Sequence, residues 1–82
     1  MLSGIIEVDI HGMTRRQAKV HLEGVLRRAD KSVYRVRVIH GYRGGTQLKD
    51  MVREELKHNS KVLRVEIGMN PGETDLILRE LW

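Results

Sequence analysis

Apolar and polar residues alternate at the start of the chain, where Ile6, Val8 and Ile10 interleave with Glu7, Asp9 and His11. A period of two predicts a strand with one buried and one polar face, and Gly12 ends it. Thr14 followed three residues later by Gln17 has the spacing of a capping box, and Ala18, Leu22, Val25, Leu26 and Ala29 then recur at helical intervals. This predicts a first helix over residues 14–29, with Arg15, Arg16, Lys19, Arg27 and Arg28 on its outer side. β-Branched alternation over residues 33–39 predicts a second strand, with Tyr34, Val36 and Val38 on one face and Arg35 and Arg37 on the other. A glycine-rich stretch follows, His40-Gly41-Tyr42-Arg43-Gly44-Gly45-Thr46. Leu48, Val52 and Leu56 then mark a second helix over residues 46–58. Residues 61–67 read as a third strand with Leu63, Val65 and Ile67 inward. Residues 68–73, which contain the only proline, form a turn. Residues 74–78 are the last strand and 79–82 its tail.

The order is βαβαββ, an α/β arrangement in which each helix joins strands that are most simply parallel. Right-handed crossovers that progress the same way across a sheet put both helices on one face and leave the other open. Alternation places Glu7, Asp9, His11, Arg35, Arg37, Arg64 and Glu66 on that open face. So polar a face has two explanations: ladders of cross-strand ion pairs, or a surface that meets a polyanion.

Eighty-two residues make one domain, with its core over about residues 5–81, and leave no room for a second. With 40% apolar and 32% charged residues the chain should fold. The absence of cysteine excludes disulfides, thiolate metal sites and thiol nucleophiles. No apolar run approaches the ~20 residues of a membrane span, and the expected location is the cytoplasm, without a membrane partner. Fifteen Lys/Arg against eleven Asp/Glu give a net charge of +4, which favours a polyanion such as a nucleic acid as partner. With only Tyr34, Tyr42 and Trp82 as aromatics, a platform for several bases is excluded, so any grip on nucleic acid must rest mainly on charge.

Parallel first and second strands bring their carboxyl ends to one sheet edge, the usual ligand edge of open α/β sheets. His11 and His40 sit at those ends. Asp9 shares a strand face with His11, roughly 6–7 Å away at ~3.3 Å per residue, and can orient or charge the imidazole. Two histidines can supply base and acid at neutral pH, the two roles that phosphodiester cleavage needs. Gly44, Gly45 and Thr46 offer backbone N–H groups at the start of the second helix, an arrangement that receives phosphate. Arg43 can pair with phosphate oxygens, and Tyr42 can stack on one base. Asp9, His11 and His40 are also compatible with a divalent ion such as magnesium or manganese, although nothing in the spacing requires a cofactor. His21 and His58 read as structural, and Met13, Met51 and Met69 as gap filling.

Asp9-Ile10-His11-Gly12 after a hydrophobic strand, and Val38-Ile39-His40-Gly41 opening a glycine-rich loop, resemble the two motifs of the Smr (small MutS-related) domain. Asn70-Pro71-Gly72-Glu73-Thr74 resembles that family's last glycine turn and strand, so the likeness covers about residues 5–81. The resemblance implies a two-layer α/β sandwich of βαβαββ order with a four-stranded mixed sheet and both helices on one face. That fold is similar to the C-terminal domain of bacterial translation initiation factor three. It also implies endonuclease activity on DNA or RNA, linked to DNA repair and recombination or to messenger RNA on ribosomes. The functional positions it implies are Asp9, His11, Gly12, His40 and Gly41. Arg43 departs from the family's pattern, which has glycine there.

The expectation is therefore a monomeric endonuclease domain. Asp9, His11 and His40 would be catalytic, and Gly12, Gly41, Tyr42, Arg43, Gly44, Gly45 and Thr46 would hold the phosphate. Arg35, Arg37 and Arg64 would add contacts to DNA or RNA. The rival from another class is a non-catalytic module that presents Arg35, Arg37, Arg43 and Arg64 to the nucleic-acid backbone. A third reading is a domain that docks on a ribosome or a repair protein.

Overall fold

A computed structural model describes residues 4–81, so Trp82 of the tail and residues 1–3 lie outside the described residues. Strand β1 (Ile5–Asp9) leads to helix α1 (Arg15–Arg28), strand β2 (Arg35–Ile39), helix α2 (Gln47–Asp50), and strands β3 (Arg64–Glu66) and β4 (Glu73–Ile77). The capping box forms at the start of α1: Thr14 Oγ1 accepts from the Gln17 amide, and Gln17 Oε1 accepts from the Thr14 amide. Two orphan donors of the first turn are thereby satisfied. At the other end Lys61 Nζ donates to the Leu26 and Ala29 carbonyls, each at 3.0 Å, which brings a cation to the negative end of the helix dipole. The second helix is less regular than its apolar spacing predicts. It widens to a π-helical stretch over Met51–Glu55 and closes as a 3-10 turn over Leu56–His58.

The sheet order is β1-β2-β4-β3. β1 and β2 are parallel, while β4 lies antiparallel between β2 and β3, which makes the sheet mixed. β1, β2 and β3 thus share a direction, as expected of strands joined by helices, and β1 and β2 end side by side where His11 and His40 follow. The row Ile6, Val36, Leu76 and Val65 runs in register across all four strands on the covered face. Ala18, Leu22 and Leu26 from α1 join Met51, Val52 and Leu56 from the second helix against it, so both helices lie on one side. Each fully buried leucine contributes about 2 kcal/mol by transfer from water.

β3 is shorter than predicted, and Leu63 and Ile67 do not turn inward: they are 56% and 61% exposed beyond the reach of the helices. Met69 fills no gap and stands in solvent.

On the open face the ion-pair ladder is what forms. Glu7, Arg37, Asp75 and Glu66 stand in one register row. Arg37 Nε and Nη2 donate to the two Asp75 oxygens at 3.1 and 3.2 Å. Arg35 Nη1 reaches Asp75 and Glu66, and Arg64 reaches Glu66 and both oxygens of Glu80. Glu7 and Glu73 complete the shell around Arg37. Three arginines meet five carboxylates, Glu7, Glu66, Glu73, Asp75 and Glu80, which leaves the ladder acidic. Arg64 and Arg35 together hold the Glu66 carboxyl below its ordinary pKa. Arg35, Arg37 and Arg64 are therefore not a basic surface awaiting a phosphate backbone. Each guanidinium is committed to carboxylates of the sheet or of the tail that follows it. Among the described residues no helix is long and apolar enough to cross a membrane.

Candidate nucleic-acid interface

Gly12 and Gly41 follow the two histidines with φ of 84° and 77°, the left-handed region where a side chain is strained. Each turns the chain off the end of its strand, so the loops after β1 and β2 rise side by side. A Cβ built on Gly41 would lie 3.7 Å from His11 Cβ, which measures how closely the two loops approach. Between them runs a groove of about 650 Å³, walled by residues 11–15 on one side and residues 39–45, 47 and 48 on the other.

His11 continues the exposed alternation of Glu7 and Asp9. Its Nδ1 lies 2.5 Å from Asp9 Oδ1, and the same oxygen accepts from the His11 backbone amide at 3.0 Å. These hydrogen bonds, the ring one foremost, hold the Asp9 carboxyl below its ordinary pKa. The aspartate thus fixes the tautomer: Nδ1–H donates to the carboxylate, and Nε2 is left with its lone pair. The His11 side chain is 70% exposed, so that nitrogen is open to solvent and ligand.

His40 takes the other parity, that of Val36 and Val38, and its ring enters the covered side of the sheet, 5% exposed. Nδ1–H donates to the Gly41 carbonyl at 2.7 Å, and Nε2 accepts from the Thr74 hydroxyl at 2.8 Å. Thr74 Oγ1 in turn accepts from Arg53 Nε at 2.8 Å. Burial, opposed by the Gly41 carbonyl and assisted by the charges of Arg53 and Lys49, pushes the His40 pKa down, so the ring is neutral. The expected pair of free imidazoles is not formed. His11 and His40 leave the sheet on opposite faces, and both His40 nitrogens are occupied. What His40 does is order the loop. Its backbone amide and that of Gly41 both donate to the Gly72 carbonyl, at 2.9 and 3.0 Å, and its ring grips the Gly41 carbonyl.

The remaining candidates gather as expected. Residues 42–46 are exposed, and among the described residues none of their backbone N–H groups donates to protein. Thr46 begins the second helix without a side-chain cap bond. The Arg43 guanidinium sits 5.8 Å from the centroid of the Tyr42 ring. Across the groove, α1 opens with Arg15 and Arg16 and no acid in its first turn, a charge order that opposes the helix dipole and raises the local positive potential. Arg15 and Lys19 share Glu55, whereas Arg16, Arg43 and Lys49 have no carboxylate partner among the described residues. No group of three or more His, Asp or Glu among the described residues is arranged to hold a metal ion, so Asp9 and His11 supply two donors only.

Thr74, Arg53 and Gly72 carry structural roles at this edge that the sequence reading did not assign them, although Gly72 and Thr74 lie in the segment that resembles the family's last glycine turn. The three lie 34, 13 and 32 residues from His40; the sheet order brings Gly72 and Thr74 to it, and the packing of the second helix on the sheet brings Arg53.

The family model described as the Smr domain matches residues 8–73, which include both histidine-glycine turns. Among solved structures the chain is similar to the Smr domain of Thermus thermophilus MutS2, at 27% sequence identity and a TM-score of 0.78. That likeness covers 92% of this chain and 99% of the other. Among the curated proteins none matches.

Proposed function

This chain belongs to the Smr domain family, and from that premise we propose that it binds nucleic acid and cleaves phosphodiester bonds with a single histidine, His11. The observation that carries this reading is the Asp9–His11 pair: an exposed imidazole whose Nδ1 is locked on a carboxylate, in the wall of a groove whose other wall carries free amides. Exposed basic nitrogen and anion-binding donors stand on opposite walls of one groove, which is the geometry of a proton-transfer group beside a phosphate.

RNA suits this site better than DNA, because its 2′-hydroxyl supplies the nucleophile and needs only a base. His11 Nε2 takes the 2′-hydroxyl proton, the 2′-oxygen forms a bond to phosphorus, and the bond to the 5′-oxygen breaks. The leaving oxygen then receives a proton from the His11 imidazolium or from water. The products are a 2′,3′-cyclic phosphate and a 5′-hydroxyl end. The amides of residues 42–46 and Arg43 hold the non-bridging oxygens, where negative charge builds in the transition state. Asp9 keeps the ring in its productive tautomer and stabilises the imidazolium. His40 is a positioning residue for the loop.

The test is cleavage of single-stranded RNA and nicking of supercoiled DNA, each with and without chelator, by wild type, His11→Ala and Asp9→Asn. The expected result is cleavage of RNA that survives chelation, is lost in His11→Ala and falls in Asp9→Asn. Undiminished activity in His11→Ala ends the catalytic assignment. One observation favours a binding-only reading, namely that His40 offers no free nitrogen as a second acid. On that reading wild type binds RNA in a salt-sensitive manner and releases no product.

A further inference from the structure

Tyr42 is the one large aromatic side chain at the groove, 59% exposed at its rim. Its position is built. The turn before β4 packs beside it: a Cβ built on Gly72 would stand 3.4 Å from Tyr42 Cδ1, Gly41 Cα and Asn70 Oδ1, ordinary contact distance that places the ring against this turn. The Arg43 guanidinium lies over this ring at 5.8 Å from its centroid and has no carboxylate partner among the described residues. A flat group stacked between two planes needs roughly 7 Å from outer plane to outer plane, because stacked π systems lie about 3.5 Å apart. An exposed arginine side chain opens a gap of that size by a rotamer adjustment. The acidic ladder on the open sheet face repels a phosphate backbone, whereas the loop end, where Tyr42 stands, carries Arg16, Arg43 and Lys49 without a carboxylate partner among the described residues and attracts one.

We propose that Tyr42 and Arg43 form a slot for one unpaired nucleobase, which makes the groove selective for single-stranded over double-stranded nucleic acid. The proposal rests on the reading that residues 42–46 bind phosphate. The base enters between the phenol ring and the guanidinium plane while the adjoining phosphate meets the loop amides. A duplex keeps its bases stacked and offers the slot nothing. Hydrogen-bond readout of base identity is not built here, so the slot takes any base that stacks well, purines before pyrimidines.

The experiment measures binding by fluorescence anisotropy at fixed low salt to three labelled probes of equal length: a single strand of deoxyadenylates, the same strand made abasic throughout, and a duplex. The proteins are the full chain, Tyr42→Phe, Tyr42→Leu and Arg43→Lys, each checked for an unchanged amide spectrum. One base on one aromatic ring commands about a tenfold preference or more. The expected result is that wild type and Tyr42→Phe bind the deoxyadenylate strand about tenfold more tightly than the abasic strand. Tyr42→Leu loses that preference and binds the deoxyadenylate and abasic strands alike, and Arg43→Lys loses part of it because charge remains without the plane. Equal binding of deoxyadenylate and abasic strands by wild type overturns the slot alone, as does a preference that survives Tyr42→Leu. Binding of no probe by wild type overturns the phosphate-binding reading and the slot with it.

Discussion

Replacing Thr74 by valine removes one hydroxyl and nothing of the side chain's shape, in a residue 1% exposed. That hydroxyl donates to His40 Nε2 and accepts from Arg53 Nε. Arg53 is half-buried and can turn its nitrogen towards water. His40 is buried, and its Nε2 would be left as an acceptor without a donor. Leaving such a group unsatisfied costs about 1–3 kcal/mol, and the value expected here is about 2 kcal/mol. For a domain of this size each kcal/mol moves Tm by about 4–8 °C, so the shift is about 8–16 °C. Thr74→Ser is the control. It keeps both hydrogen bonds and loses a buried methyl group worth about 1 kcal/mol. Hydrophobicity and strand propensity alone rank valine above serine at a buried strand position, whereas the hydrogen-bond argument ranks serine above valine. Urea unfolding followed by circular dichroism decides between them, with the denaturant slope checked for constancy. A Thr74→Val protein as stable as Thr74→Ser would refute the account of His40 as a loop anchor held by Thr74.

Because the His40 pKa is depressed, the unfolded chain takes up this proton first as pH falls. Stability is complete above the ordinary histidine value of 6.5 and drains away as pH drops from there towards the folded value. Urea midpoints measured from pH 8 to pH 5 should show that slope, and His40→Asn should flatten it. Asp75→Asn removes the shared partner of Arg35 and Arg37 and is expected to cost about 2 kcal/mol. Since that carboxylate is largely buried, 0.5 M salt should leave most of the difference in urea midpoint intact. Lys61→Met uncaps the last carbonyls of α1 and should cost about 0.5–1 kcal/mol by thermal unfolding, with an unchanged amide spectrum around the groove.

Much of this molecule is legible in its residues. Ile6, Val8, Val36 and Val38 alternate strictly because a sheet covered on one side needs a period of two, and the capping box at Thr14 is read from two letters three positions apart. The same alternation set Asp9 and His11 on one face, where they pair. It failed at β3. Leu63 and Ile67 have the pattern of a buried strand, yet they lie at the sheet's edge beyond the helices, and a period says nothing about how far a covering layer extends.

The distribution of charge shows the same limit. Counting residues gives a basic chain, but Arg35, Arg37 and Arg64 are neutralised by Asp75, Glu73 and Glu80, which reach them only because β4 inserts between β2 and β3. His40 illustrates it most plainly. Both histidines end parallel strands and precede a glycine, so by position they look equivalent. Odd and even positions point to opposite faces of a sheet, and one ring therefore reaches water while the other is sealed against Thr74. Local order and motif spacing are properties of neighbours along the chain, and the residues themselves determined them. Which groups occupy the His40 nitrogens, and which arginines are spent, depends on partners about 15 to 40 residues distant, and only the packed sheet decided that.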